Sequence, residues 1–376
     1  MNGDIRTEAA ARERLLSLDM MRGLAVIGMI LVNEMAGMAS EGKVFPLLLH
    51  APWDGLTLAD IVFPMFLMMV GVSIPLSLRN ADGLTGAESS RILWRSFRLI
   101  LLGWILTNMW WLSDFSATDW RLFGVLQRIG LVYGACAFLF LLCSPRTRLI
   151  IAALILVLYW PLALMPALDG LPNDIWQRGH NFVASVDRVL LGAGNHNYVK
   201  GPEGYDPEGL LGTLPAIAQG LIGIAVGEYL LRRREDEVRR LALAGAAMLV
   251  VGIAWGFIFP VVKDIWSSSF VLVTSGITAI LLALLRAIYD RGKPVEGLRK
   301  AGAVLVLPFG VNAIAAYVLH FVAAGLLGWD LLQQPYQMTR GTLGEPIAAF
   351  LPVLLFMAFI WLCMWYLWKK RWIIKI

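Results

Sequence analysis

One histidine at the start of a long apolar run is the side chain best suited to chemistry in this sequence. His50 is followed by Ala-Pro-Trp-Asp-Gly, where a partly polar stretch meets that run. Imidazole titrates near neutrality, so it can take a proton from an attacking hydroxyl or amine. Asn33, near the end of the preceding apolar run, can orient the ring or stabilise an oxyanion. The pattern alone leaves open a loop histidine bonded to a backbone carbonyl.

Other polar residues interrupt the apolar runs or lie at their ends. Ionisable side chains are costly inside a bilayer, so each is a candidate for function. The candidates for binding an acceptor are Trp53, Asp54, Asp60, Asp206, Glu208, Asn312 and His320. Trp53 also suits an interfacial aromatic belt, and the two acidic residues Asp206 and Glu208 also suit the first turn of a helix. Several are expected in the same half of the protein, which implies a water-accessible cavity there.

A second set of residues can bind a phosphate-bearing cofactor. Arg95 and Arg98 lie at the start of the third apolar run, and guanidinium groups bind phosphates well. Gln127 and Arg128, which begin the fourth run, are added to this set. The alternative for the two arginines, favoured by the pattern alone, is that they only orient the chain in a membrane. The four histidines have no Cys, Asp or Glu at ligand spacing, so no metal is expected.

Membrane-spanning helices are the elements that must position these residues. The 376-residue chain is 58% hydrophobic and 16% charged, with a mean hydropathy of +0.68. Soluble chains are about 45–50% apolar and about 25% charged, so a soluble, disordered or disulfide-stapled protein is excluded. A spanning helix needs roughly 20 apolar residues. Ten runs qualify, at about 21–40, 57–78, 92–112, 122–143, 148–166, 210–231, 241–261, 268–289, 302–325 and 346–368.

The sequence therefore predicts an all-α, polytopic transmembrane bundle in a single domain, residues 1–376. Prolines in the fifth and ninth runs leave ten or eleven spans open. Residues 1–18 are expected to be a cytoplasmic segment without a cleavable signal peptide. The long segment 167–209 mixes turn residues with apolar ones, which favours an ordered extracytoplasmic cap.

The distribution of positive charge orients the predicted bundle. Of the 32 Lys and Arg residues, 24 lie in the terminal segments and one set of alternate loops, and 7 lie in the other loops. Positive loops face the cytoplasm, so both termini are expected to be cytoplasmic. The net charge of +5 is then an orientation signal, and nucleic-acid binding is not expected.

Several motifs carry a resemblance to a known family. They are SLDMMRGLAVIGMILVNEMAG, LLHAPWDGLTLADIVFPMFLMMVGVSIPLSL, WRSFRLILLGW, GVLQRIGLVYG, YDPEGLLGTLPAI and PFGVNAIAAYVLHF. Together they resemble the heparan-α-glucosaminide N-acetyltransferase family of transmembrane acyltransferases, over nearly the whole chain. The HAPWDGLT and YDPEG stretches are the most specific of them.

The resemblance implies transfer of the acetyl group of cytosolic acetyl-CoA to the amine of glucosamine or a terminal amino sugar on the non-cytoplasmic side. The family's catalytic histidine maps to His50, as general base or acetyl carrier, and its asparagine maps to Asn33. Free glucosamine or an amino-sugar fragment is the acceptor expected for a bacterial-type relative in the inner membrane. The family also suggests a homodimer in the lipid bilayer.

Two other functions suit parts of the same pattern. Ten spans with polar groups between them suit an amino-sugar transporter, although the halves show no repeat of the kind that many transporters have. The second alternative is an acyltransferase that acts on envelope polysaccharide.

Overall fold

The described residues form helices joined by loops, without a strand. The computed structural model describes residues 15–81, 83–109, 120–192, 196–232, 235–290 and 295–374. The helices are α1 (Leu16–Met38), α2 (Leu58–Leu78), α3 (Gly86–Thr107), α4 (Val125–Leu142), α5 (Pro145–Ala163), α6 (Phe182–Leu191), α7 (Thr213–Leu231), α8 (Glu237–Gly256), α9 (Ser268–Tyr289), α10 (Gly297–Val311), α11 (Ala313–Leu327), α12 (Trp329–Leu343), α13 (Glu345–Ala348) and α14 (Phe350–Lys369). The predicted all-α class is confirmed.

Fewer helices qualify as spans than the ten predicted. Within the described residues, eight segments are long and apolar enough to cross a membrane: α1, α2, α4, α5, α7, α8, α9 and the α13–α14 segment. The predicted span 92–112 is largely helical as α3, but the charges of Glu88, Arg91, Arg95 and Arg98 dilute its apolar character. Residues 110–112 of that prediction lie outside the described residues.

The predicted span 302–325 is broken near its middle. Helices α10 and α11 meet at Asn312 with a bend of 79°, and the pair qualifies as a ninth span only if counted together. The Asn312 amide donates to the carbonyl of Trp372 at 3.0 Å and accepts from the N–H of Ile374 at 3.0 Å. The helix break therefore frees a polar side chain that fixes the end of the described chain.

Contacts between helix ends distinguish two ends of the bundle. At the first, which we call the basic end, α1 begins and α9 and α14 end; here the N–H of Ser17 lies 3.3 Å from Asp290 Oδ1, and Arg286 pairs with Glu237. At the other, which we call the cap end, residues 164–192 and 196–212 cover the loop before α2. The indole N–H of Trp53 donates to the carbonyl of Ile175 in that cover at 2.9 Å.

Helices α2 and α7 pack backbone to backbone through glycines. A Cβ on Gly71 would lie 2.2 Å from the carbonyl oxygen of Gly220. A Cβ on Gly223 or Gly227 would come within 2.3 or 2.4 Å of carbonyl oxygens of α2. Small residues at such a crossing let two apolar helices approach without a groove of side chains between them. Helix α2 is thereby held rigidly at the centre of the bundle.

Substitution at this crossing should destabilise the whole protein. We expect Gly71→Ala to lower the free energy of unfolding by about 1–3 kcal/mol, because the added methyl group must push two backbones apart. Titration of the purified protein in mixed micelles with SDS measures the loss.

The matched control for this substitution is Gly341→Ala. Gly341 lies in α12, and a Cβ there would meet nothing within 4 Å. Alanine favours a helix over glycine by up to about 1 kcal/mol, so this variant should be unchanged or more stable. Equal losses in the two variants would contradict the assigned packing.

The cap contains a carboxyl group with a strongly perturbed pKa. Asp187 in α6 is 2% exposed and accepts hydrogen bonds from the N–H groups of Leu210 at 3.1 Å and Asp206 at 3.3 Å. Burial raises the pKa of Asp187 to about 7, and the neighbouring charge of Asp206 adds to this, against the opposing effect of the two N–H donors.

This shift makes the stability of the cap depend on pH. In the unfolded chain this carboxyl ionises near pH 4. Its contribution to the free energy of unfolding is therefore full below that pH and is lost as pH rises through about 7. The free energy of unfolding of Asp187→Asn, relative to that of wild type, should therefore rise by a few kcal/mol between pH 5 and pH 8. Melting temperatures of both proteins across this range provide the measurement, and a difference that stays constant would contradict it.

Candidate functional site

The loop that carries His50 closes around the carboxylate of Asp60. Thr57 is the N-cap of α2, and Asp60, at the third helical position, accepts from the N–H of Thr57 at 3.0 Å. The same Oδ2 atom accepts from the N–H of Ala51 at 3.1 Å, while the Thr57 hydroxyl donates to the carbonyl of Leu49 at 2.7 Å. An aspartate that begins as a helix capping group thus fixes the backbone on both sides of the histidine.

His50 lies against this carboxylate and is partly exposed on its other side. Its Nδ1 is 2.7 Å from Asp60 Oδ1, and the histidine side chain is 41% exposed whereas that of the aspartate is 1% exposed. Because a carboxylate only accepts, Nδ1 carries a proton, and in the neutral ring the lone pair is then on Nε2. The partner is a carboxylate, so the alternative of a histidine bonded to a backbone carbonyl is wrong. The arrangement is that of an oriented base.

Trp53 and Asp54 hold the walls of this site. Trp53 is 8% exposed and meets the ring of Tyr205 edge-on at 6.1 Å, so it is an anchor for the cap. Asp54 Oδ1 accepts from the N–H of Val261 at 3.0 Å, and Gly55 bonds the same residue's carbonyl. Gly55 has a φ of +119°, which favours glycine. These contacts tie the histidine loop to the connection between α8 and α9.

An arginine that the sequence analysis assigned no role organises the two acidic candidates. Arg121 lies 2.7 Å (Nε) and 2.6 Å (Nη2) from the carboxylate of Asp206, and also binds Glu208. Burial would lower the pKa of Arg121, but the two carboxylates raise it above its ordinary value. Burial would likewise raise the pKa of Glu208, and the charges of Arg121, Lys263 and Arg128 hold it below its ordinary value. Arg121 and Glu208 are therefore a charged pair.

Arg128 and Gln127 lie beneath this cluster. Arg128 is completely buried, donates to the carbonyl of Gly209 at 3.1 Å and lies 4.9 Å from the ring centre of Trp266. Its Nε and Nη1 atoms have no hydrogen-bond partner among the described residues. The Gln127 amide nitrogen lies 3.5 Å from the hydroxyl of Thr107. Of the four cofactor candidates, these two are grouped with Glu208 at the cap end.

Arg95 faces a separate cavity nearer the basic end. The cavity has a volume of about 540 Å³. Its polar lining comes from Arg22, Ser73, Ser77, Arg95 and Tyr133. The Arg95 guanidinium lies 4.5 Å above the ring of Tyr133, and its buried Nε has no hydrogen-bond partner among the described residues. Two arginines, three hydroxyls and apolar walls suit an anionic ligand with an apolar arm.

Arg98 is not part of this cavity. It is exposed and lies 5.9 Å from the ring centre of Trp94 on the outer face of α3. Arg22 takes the position that was expected for Arg98. The guanidinium of Arg22 bonds Asp19 at 3.0 Å and also the Ser73 hydroxyl. The charge on Arg22 was assigned by sequence to orientation alone, and no spacing rule linked it to Arg95.

Asn33, His320 and Asn312 occupy three different places. Asn33 is half-buried on α1, and its side chain makes no hydrogen bond among the described residues. Helices α1 and α2 cross where a Cβ on Gly28 would meet Val62 at 3.0 Å. Asn33 lies just over one turn farther along α1, at the level where α2 begins. His320 Nε2 is 3.0 Å from Glu34 in the interior. Asn312, expected with the acceptor candidates, lines the basic end instead because of the α10–α11 bend.

Lys263 is the residue of this site that sequence reasoning missed most completely. Its Nζ lies 3.1 Å from His50 Nε2, although 213 residues separate the two in the chain. The available signal was a lone lysine in VVKDIW, in a set of loops otherwise depleted of positive charge. Such a charge is unusual where the orientation rule disfavours it.

Comparison with known proteins identifies a family for this chain. The family described as heparan-alpha-glucosaminide N-acetyltransferase, catalytic, matches residues 14–256. The human heparan-alpha-glucosaminide N-acetyltransferase is 32% identical over 383 residues, covering 86% of this chain and 55% of that protein. The mouse protein of the same name is 29% identical over 371 residues, covering 84% and 54%. The chain spans about half the length of these relatives.

The match contains every residue of the His50–Asp60 pair, the Arg121 cluster and the α2–α7 crossing, and it extends over well over half of the chain. The resemblance drawn from the motifs is confirmed. The chain belongs to the heparan-α-glucosaminide N-acetyltransferase catalytic-domain family.

Proposed function

We propose that this protein is a membrane-embedded acetyltransferase that moves the acetyl group of acetyl-CoA to the amine of glucosamine or a terminal amino sugar. The observation that carries the proposal is the buried Asp60 carboxylate on His50 Nδ1, with Nε2 on the exposed side of the ring. Membership of the acetyltransferase family gives the reaction class to which this base is suited.

In this mechanism, His50 acts on the acceptor amine. Nε2 accepts a proton from the amine as its nitrogen attacks the thioester carbonyl, and the C–S bond breaks to release CoA, whose sulfur takes a proton. Asp60 stabilises the imidazolium that forms on His50. Asn33, at the level where α2 begins, supplies an amide donor for the carbonyl oxygen. The alternative route places the acetyl group on His50 first and then on the amine.

The donor is proposed to enter from the basic end. Arg22 and Arg95 would hold its phosphates in the 540 Å³ cavity. Helix α2 carries both Ser73, in that cavity, and Asp60, behind His50; at 1.5 Å per residue their 13-residue separation is about 20 Å. A pantetheine arm of roughly 15–20 Å, about half of a ~30 Å hydrocarbon core, matches this distance.

The acceptor is proposed to bind at the cap end, on the non-cytoplasmic side of a bacterial inner membrane. The loop charge distribution supports this orientation, since the cap lies among the loops with few Lys and Arg residues. The Asp206–Glu208–Arg121 cluster and the nearby Arg128 offer polar groups for sugar hydroxyls. Free glucosamine is the simplest acceptor that fits. We also propose a homodimer, on the basis of family membership alone.

The first test removes the base. His50→Ala should lower transfer from radiolabelled acetyl-CoA to glucosamine by about 10²- to 10⁴-fold, because no group then accepts the amine proton. The assay uses the full chain in proteoliposomes. His180→Gln is the control: His180 lies in the cap, 3.1 Å from the exposed Glu203, and its variant should keep wild-type activity.

The same proteoliposomes separate the proposal from its alternatives. Full activity of His50→Ala would overturn the catalytic assignment. Glucosamine counterflow without acetyl-CoA would favour the transporter, and transfer only to a polysaccharide acceptor would favour the envelope acyltransferase.

The second test compares Arg95 and Arg98, which both lie on α3. Arg95→Gln should raise the KM for acetyl-CoA about tenfold, the size expected for one charge-assisted hydrogen bond, with little effect on the KM for glucosamine. Arg98→Gln, which removes an exposed guanidinium from the same helix, should leave both constants unchanged. Equal effects of the two substitutions would contradict the donor cavity.

A further inference from the structure

A lysine side chain lies directly over the free nitrogen of the proposed base. Lys263 Nζ is 3.1 Å from His50 Nε2, while the opposite ring nitrogen is 2.7 Å from Asp60. An ammonium group has three donors and no acceptor, so this contact is a hydrogen bond only when Nε2 is unprotonated. Lys263 and Asp60 together therefore select one tautomer of His50, with the proton on Nδ1 and the lone pair on Nε2.

The backbone that carries Lys263 is fixed. Its carbonyl accepts from the N–H of Trp266 at 2.9 Å, and the neighbouring Val262 and Ile265 are fully buried. Trp266 has a φ of +52°, a left-handed conformation that costs a bulky residue about 1–3 kcal/mol and persists only where the surroundings determine it. Val262 also bridges to Asp54 in the histidine loop. Only the side chain of Lys263 is free to move relative to His50.

Besides the His50 ring, a carboxylate also lies within electrostatic range of the Lys263 ammonium group. Lys263 is among the positive charges that lower the pKa of the buried Glu208, together with Arg121 and Arg128. Glu208 belongs to the cap-end cluster, whereas Asp60 lies behind the imidazole ring. The flexible end of Lys263 is therefore attracted both to His50 and to Glu208.

We propose that Lys263 is a positioning residue that holds His50 in its base form until an acceptor amine arrives. In the resting site it donates to Nε2; the amine then takes that place and Lys263 withdraws toward Glu208. The inference rests on the proposed acetyl transfer. It assigns Lys263 no contact with the acceptor amine or the thioester, and it requires the acceptor to carry an amine able to replace an ammonium group at Nε2.

The test uses the full chain in proteoliposomes with acetyl-CoA and glucosamine. Lys263→Met should lower kcat about tenfold, because the tautomer is then selected by Asp60 alone, while the KM for glucosamine does not rise. Lys263→Arg keeps a cation with donors and should recover part of the loss. Lys43→Met is the control, since Lys43 is an exposed lysine on the loop that precedes His50.

Each contrary result has a distinct meaning. Wild-type kcat in Lys263→Met, or a rise in the KM for glucosamine without a loss of kcat, would overturn the positioning role. If Lys263→Met does not fold, as judged by its melting temperature, Lys263→Gln and Lys263→Arg decide: equal activity of these two would overturn the role. His50→Ala measured in parallel keeps the two proposals apart, because an active His50→Ala fails the proposed function itself.

Discussion

The buried carboxylate of Asp60 is the constraint on which the site depends. A charged side chain that is 1% exposed is tolerated only when its oxygens are bonded, and here they accept from two backbone N–H groups and from His50. The same bonds begin α2, shape the loop before it and orient the imidazole. Loss of this one carboxylate would remove a helix cap and leave the base without a fixed tautomer.

The cap end carries a second group of buried charges, which likewise need hydrogen-bond partners or opposite charges close by. Arg121 pairs with both Asp206 and Glu208, whereas Arg128 is fully buried with two of its nitrogens lacking partners among the described residues. Such an arginine is stable only because carboxylates and the face of Trp266 lie close to it. The cluster therefore holds surplus donors at the edge of the site, which is a reasonable position for a sugar with many hydroxyl groups.

Local pattern predicted what lies close in sequence and failed where distant segments meet. The apolar runs located most helices, and Asp60 was expected in the same half of the protein as His50, but as an acceptor candidate. The role of orienting the ring was expected of Asn33, whereas the structure gives it to Asp60. The contact of Lys263 with His50 joins segments 213 residues apart, so no local rule reaches it. The 79° bend at Asn312 was hidden because both halves are apolar, and it moved a predicted acceptor residue to the other end of the bundle.

Helix α2 links the two ends of the proposed reaction, and its packing determines how well it can do so. Asp60 lies at its first turn and Ser73 faces the donor cavity, so the distance between base and phosphate site is a property of one helix. Contact of α2 with α7 through glycines leaves no side chains to adjust at their crossing. A rigid helix of this kind favours a donor whose flexible arm adapts to the protein. At the cap end, the side chain that lies on the base is that of Lys263.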